Sequence, residues 1–299
     1  MGYIDLHLHS HYSDGIYSPK DLIKRAKSFG FSVVSITDHQ TVAGLEEAIK
    51  IGKKCKVKVI PGVEINDVKF RGQRLHLLGY GIDWKNKELN QALNKMQKQR
   101  KENVKKCILE LQKQGFRIKE EKIFQTFSQY IGFGWLAGFL DQGKNKQKIK
   151  KDFQLKNNQI VTLPEIYKRY FIKNGQSILL STEISLEKII NVIKKSGGIS
   201  VLAHPGQQLS WSDDWLFPLL KKKGVRGLEA VSSHHNWANI EHYQKIAKQN
   251  KFLITIGSDY HGDVPEEWKF LVKSTWQYFK IATDPSIYNS LEALICKNL

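Results

Sequence analysis

His7 and His9 sit two apart in the run "DLHLHS", and in a β-strand that spacing aims both imidazoles at one face. Further ligand-type residues recur along the chain, at Asp14, His39, Glu64, His76, His204, Asp259 and His261. Imidazoles and carboxylates gathered in one place suit divalent cations, because burying so many of them without a compensating charge is costly. An ion with an open coordination position takes roughly three to five protein ligands, so these candidates predict two or three ions. The mixed donor set suits Mn, Zn or Fe, with Mg as the more oxygen-seeking alternative. Asp5 and Asp38 neighbour ligand histidines and are expected to accept imidazole N–H groups; Glu229 is expected to be structural or to stand behind the ligands.

Seven segments have the composition of strands that could carry these groups: 3–9, 31–37, 57–65, 74–80, 198–205, 225–231 and 252–259. Amphipathic helical patterns lie between several of them, one opened by Ser18-Pro19 as cap and first residue. Such alternation predicts an α/β fold with a mostly parallel sheet, open or closed into a barrel, whose site lies at the carboxyl ends of the strands. The alternation breaks between strands four and five. A long amphipathic pattern from Leu89 to Gly115, then further helical pieces, predicts a helical insertion over 86–189 within a domain made of 1–85 and 190–299.

The 299-residue chain carries a net charge of +18, which favours anionic partners. The charge is uneven: residues 85–160 hold 18 Lys and Arg against 7 Asp and Glu. No apolar run is long enough to span a bilayer, so no membrane partner is expected. Cys55, Cys107 and Cys296 have no motif spacing, which points to reduced thiols and a cytoplasmic setting.

The motifs "DLHLHSHYSDG", "TDHQTVAG", "PGVEI", "LHLLGYG", "AHPG" and "GSDYHG", in this order, resemble the PHP (polymerase and histidinol phosphatase) family. The resemblance implies a distorted seven-stranded (β/α) barrel and a di- or trinuclear metal centre. By the family pattern one ion takes His7, His9, Glu64 and Asp259, a second Asp14, His39 and His261, and a third His76 and His204 while sharing Glu64. The helical insert makes the chain similar to stand-alone PHP phosphoesterases that act on nucleoside 3′,5′-bisphosphates and short RNA ends. It implies hydrolysis of a phosphomonoester of a nucleotide or similar small phosphometabolite by metal-activated hydroxide. The alternatives are a phosphodiesterase or exonuclease on short RNA or DNA, a histidinol phosphatase, and a non-catalytic metal-binding module. Relatives carry an Arg-Pro-His stretch in the insert, where this chain reads "IGFGWLAGFL" at 131–140. Arg100 and Arg117 are therefore expected to supply phosphate contacts, Trp135 to stack on a base, and His235 to protonate the leaving group.

Overall fold

A computed structural model describes residues 2–126, 130–156 and 159–263, together with Ala293. The chain divides into two compact units, one made of Met1–Lys95 and Glu183–Leu299, the other of Met96–Thr182. In chain order the first unit supplies β1 (Tyr3–Leu8), α1 (Pro19–Ser28), β2 (Phe31–Ile36), α2 (Leu45–Cys55), β3 (Lys58–Val59), β4 (Gly62–Phe70) and β5 (Gln73–Tyr80). The long helix α3 (Lys87–Lys113) follows. Then come α4 (Glu120–Thr126), α5 (Phe133–Leu140), α6 (Gly143–Asp152), α7 (Leu163–Ile166) and a hairpin of β6 (Ile172–Lys173) with β7 (Gln176–Ser177). The first unit resumes with β8 (Ile184–Ser185), α8 (Leu186–Lys195), β9 (Ile199–Leu202), α9 (Leu216–Lys223), β10 (Gly227–Ser232), α10 (Trp237–Gln249) and β11 (Leu253–Gly257).

Local chemistry fixes several of these boundaries. Ser18 accepts a hydrogen bond from the Asp21 amide while Pro19 occupies the first turn of α1, so the helix opens with a satisfied donor and a preset φ. α8 starts in the same way, with the Ser185 hydroxyl accepting from the Lys188 amide. The β4–β5 hairpin closes through Arg71 and Gly72, both at positive φ, the geometry of a two-residue turn that follows the twist of the strands.

The first unit holds an α/β arrangement with two sheets. β1, β2 and β3 form a parallel three-stranded sheet; the other has the order β11-β10-β9-β5-β4-β8. The pairings are mostly parallel, as expected, with one exception: β5 runs antiparallel to both β4 and β9. A tight hairpin can return the chain only antiparallel. No single hydrogen-bonded seven-stranded ring runs through the described residues. The two sheets meet instead at isolated parallel bridges, Leu8 with Tyr260 and His39 with Glu64. The His9 amide donates to the Tyr260 carbonyl at 2.9 Å, and the Gln40 amide to the Glu64 carbonyl at 2.8 Å, so each seam falls at a candidate ligand.

The strands alternate as burial demands. Leu6 and Leu8 of β1 are fully buried on one face, while His7 and His9 are fully buried on the other. The second unit has its own apolar core, built from Val104, Ile108, Leu111, Ile123, Leu136, Leu140, Ile149 and Phe171 among others. Cys55 and Cys107 are free thiols; Cys296 lies outside the described residues. Among the described residues no helix is long and apolar enough to cross a membrane.

Candidate metal centre

All nine candidate ligands come from the first unit. His7 lies on β1 and His9 just past it; Asp14 lies in the following loop; His39 follows β2; Glu64 is on β4; His204 follows β9; Asp259 and His261 follow β11. His76 lies in the first half of β5, not at a carboxyl end. Because β5 is antiparallel, that half lies beside the end of β9, where the Ala203 amide donates to the His76 carbonyl at 3.0 Å.

Glu64 is the hub. Its Oε2 lies 3.3 Å from Nε2 of both His7 and His9, and 2.8 Å from His39 Nδ1. Its Oε1 lies 2.9 Å from His76 Nδ1 and 3.3 Å from His204 Nε2. Asp259 Oδ1 completes one face, at 3.3 Å from His7 Nε2 and 2.9 Å from His9 Nε2. Asp14 serves the other side, with Oδ1 3.2 Å from His261 Nε2 and Oδ2 3.5 Å from His39 Nε2. Two groups converge tightly enough to hold an ion: His9, Asp14, His39 and His261, and His7, Glu64, His204 and Asp259. This grouping puts His204 with His7, Glu64 and Asp259, and His9 with Asp14, His39 and His261, while His9 Nε2 also stands 3.3 Å from Glu64 Oε2 and 2.9 Å from Asp259 Oδ1; His76 touches the cluster through Glu64.

The donor atoms fit divalent ions. Nε2 of His7 and His9, Oε2 of Glu64 and Oδ1 of Asp259 are buried and have no hydrogen-bond partner among the described residues. Yet each of the two nitrogens stands 2.9–3.3 Å from both oxygens. Four ligand atoms each about 2.0–2.2 Å from a shared cation would stand roughly 3.0–3.5 Å apart. Buried polar atoms rarely stay orphaned, and a cation is the partner that satisfies all four together.

Without a cation the cluster must hold protons. Burial opposes charge on His7, but Glu229, Asp259 and Glu64 outweigh it and hold its pKa well above the usual histidine value. For His9 burial is likewise overcome, by Asp259 and Glu64, and the pKa is pushed up to about 10. Burial would raise Glu64, but the facing His39 and His7 take it well below the usual carboxylate range. His204 moves the other way: burial dominates and lowers its pKa.

Outer groups aim the ligands. His7 Nδ1 donates to Glu229 Oε1 at 3.0 Å, and the same carboxylate accepts the His204 amide at 2.9 Å through Oε2. A carboxylate behind a metal-binding imidazole fixes its tautomer and raises its basicity. Asp5 instead takes the amides of His7 and Ser258 and the Ser258 hydroxyl, tying β1 to the end of β11. Asp38 takes the Ser10 amide and the hydroxyls of Ser10 and Ser13, closing the loop that carries Asp14. These bonds go to backbone and serine groups, and for Asp38 they correct the expected imidazole contact. Gln208 was not anticipated: its Oε1 accepts the His76 amide at 3.0 Å and its Nε2 lies 2.8 Å from His204 Nδ1.

His235 is corrected as well. Its Nδ1 donates to the Ala230 carbonyl at 2.9 Å and its Nε2 accepts the Gly206 amide at 3.0 Å, so neither ring nitrogen is free to pass a proton. Burial lowers its pKa, in keeping with a neutral packing residue against Tyr243. The histidine that reaches the cluster is its neighbour His234, whose Nε2 lies 2.8 Å from Asp259 Oδ2. The adjacent pair in "SSHHN" was the available signal, since two successive side chains just beyond a strand point apart.

The expected substrate contacts lie in the second unit. Arg100 is buried there, with Nε and Nη2 both donating to the Ile131 carbonyl at 2.9 and 2.7 Å and the guanidinium over the Tyr130 ring. It holds the "IGFGWLAGFL" segment and is not available to a phosphate, which corrects the expectation. Arg117 is exposed and Trp135 half-buried.

Gly257 sets how closely β11 approaches the ligands. A Cβ there would stand 2.2 Å from Glu229 Oε1 and 2.3 Å from His7 Cβ. Gly257→Ala is expected to destabilise the protein by about 1–3 kcal/mol through overpacking and to displace His7. Thermal unfolding and the metal content of the dialysed variant check this.

The PHP domain family matches residues 5–186. A 5′-3′ exoribonuclease from Haemophilus influenzae is 26% identical over 261 residues, covering 86% of this chain and 89% of that protein. A 3′,5′-nucleoside bisphosphate phosphatase from Chromobacterium violaceum is 24% identical over 267 residues, covering 87% and 88%. Among solved structures, a protein from Bifidobacterium adolescentis described as a metal-dependent phosphoesterase superposes with a TM-score of 0.77 at 22% identity, covering 97% of this chain and 96% of that one. That likeness shows the fold.

Proposed function

The chain belongs to the PHP domain family, and on that premise we propose that it is a metal-dependent phosphoesterase whose substrate is a phosphomonoester of a nucleotide or similar small phosphometabolite. The single observation that carries the reading is the set of four buried, orphaned donor atoms on His7, His9, Glu64 and Asp259. His7, His9, Glu64 and Asp259 would hold one ion, Asp14, His39 and His261 a second, and His76 and His204 with Glu64 a third. The two sheet seams, each at a ligand, support a distorted seven-stranded closure around them. Bound ions of this kind supply a nucleophilic water at neutral pH and positive charge for phosphoryl oxygens. The residues around them set charge and aim. Glu64, Asp14 and Asp259 are the anionic members of the ligand set, against six imidazoles. With the imidazoles neutral, two or three dications leave the site net positive, which suits a dianionic phosphate. Glu229 fixes His7 by its ring N–H and His204 by its backbone, so the site is built before substrate arrives.

A second reading, cleavage of phosphodiesters in short nucleic acid, is favoured by the basic stretch 85–160. Both are tested by phosphate or nucleotide release from a panel: a nucleoside 3′,5′-bisphosphate, 5′-mononucleotides, histidinol phosphate, sugar phosphates and short RNA oligomers. The protein is first reconstituted with Mn, Zn or Fe, and His39→Ala serves as control. Release from the bisphosphate with weak salt dependence is the expected result. For a polymer held by several cations, log affinity should fall with log salt at a slope of about −0.7 per contacted phosphate. No release from any member by protein shown to carry metal would overturn the phosphoesterase reading.

A further inference from the structure

His234 is the one histidine at the cluster that the nine-ligand pattern leaves out. Its ring is 30% exposed, and its Nε2 lies 2.8 Å from Asp259 Oδ2. Gln207 Nε2 sits 2.6 Å from the opposite ring nitrogen, Nδ1. Asp259 itself adopts φ of +55°, a left-handed conformation that costs a non-glycine residue and turns its side chain off the line of β11. Of its two carboxylate oxygens, Oδ2 meets His234, and Oδ1 is the buried orphan facing His7 and His9.

The segment carrying His234 is pinned on both sides. The Ser233 hydroxyl donates to the Ser258 carbonyl at 2.5 Å, next to Asp259. His235 is locked between the Ala230 carbonyl and the Gly206 amide. The imidazole therefore has little freedom to swing away, and its N–H is delivered to one carboxylate oxygen only.

We infer that His234 is a positioning residue that holds Asp259 through Oδ2, so that Oδ1 alone is presented to the ion shared with His7, His9 and Glu64. The chain Gln207–His234–Asp259 thus mirrors the Glu229–His7 contact, with an imidazole behind a carboxylate instead of a carboxylate behind an imidazole. A carboxylate fixed to one donating oxygen suits a small, geometrically demanding cation and disfavours Ca, which accepts bidentate carboxylates. The inference rests on Asp259 being a ligand, as proposed above.

The test is metal affinity, measured by competition with a chromophoric chelator for Mn and Zn, on full-length protein with matched circular dichroism. His234→Ala should weaken binding by about 10–100-fold, the usual cost of losing an outer partner. His234→Gln, whose side-chain amide retains an N–H donor, should recover most of that loss, and His234→Ala should narrow the preference for Mn over Ca. A merely space-filling role would give no rescue by Gln and no change in Mn-to-Ca preference, and would overturn the inference. Asp259→Ala separates the two claims. If it weakens binding and His234→Ala does not, the inference about His234 fails alone; if neither does, the ligand assignment of Asp259 fails with it.

Discussion

Glu64→Gln is expected to remove phosphoester hydrolysis to background and to cut metal affinity by more than the 10–100-fold typical of an outer partner. The carboxylate is fully buried, and its two oxygens lie within 3.3 Å of nitrogens on five histidines. A carboxamide has nearly the same shape but offers one acceptor and a donor pair in place of two anionic acceptors. Its NH2 group would face a cation or, in metal-free protein, protonated imidazole N–H groups, and either contact is unfavourable. In metal-free protein the same change strips protonated imidazoles of their counter-charge, and breaking a buried pair from one side typically costs about 3–5 kcal/mol. Chelator-treated Glu64→Gln should therefore unfold at lower temperature than chelator-treated wild type. Elemental analysis, phosphate release and calorimetry check the three parts. Retention of wild-type metal content would show that Glu64 packs the site without holding an ion.

Much of this was legible in the sequence because ligand chemistry is local. A two-residue His spacing on an apolar strand, or a carboxylate and imidazole in "GSDYHG", announces its face and residue type without knowledge of the fold. The α/β class was legible for the same reason, through strand and helix periodicity. What was not legible depends on direction and partner. His76 reaches the cluster only because β5 is antiparallel, and a strand's direction leaves no mark on its own residues. Asp5 lies two residues before His7 on β1 and Asp38 beside His39 just past β2, but closeness in sequence does not name a partner, and bonds from these carboxylates go to Ser258, Ser10 and Ser13. His234 and His235 are identical in type, and burial against Tyr243 decides which one is structural. Arg100 looked like a phosphate contact because it is a cation on a basic helix. The Ile131 carbonyl that occupies it is 31 residues away.

Removing metal should shift where in pH the protein is most stable. In metal-free protein the pKa of His9 is raised to about 10, and those of His7, His76 and His261 are raised as well. A raised folded-state pKa gives stability that is fully present below the unfolded histidine value of about 6.5 and fades as pH climbs through the folded value. Glu64, Asp259 and Asp14 are held low, so their contribution is present above the unfolded carboxylate value of about 4 and is lost as pH falls. His204, held low by burial, opposes the other histidines below about 6.5. The metal-free protein should thus be most stable between about pH 5 and 6.5, losing stability toward pH 9. Divalent ions replace those protons, because an imidazole must be deprotonated to bind. The gain in melting temperature on adding Mn or Zn should therefore grow from pH 6 to pH 9, with protons released on metal uptake at pH 7. At an ion concentration 100 times the dissociation constant, each site adds about 2.7 kcal/mol. Calorimetric titration in buffers of different ionisation enthalpy counts the protons. A metal-induced gain that shrinks as pH rises, with no protons released, would mean that these histidines are neutral before the ions arrive.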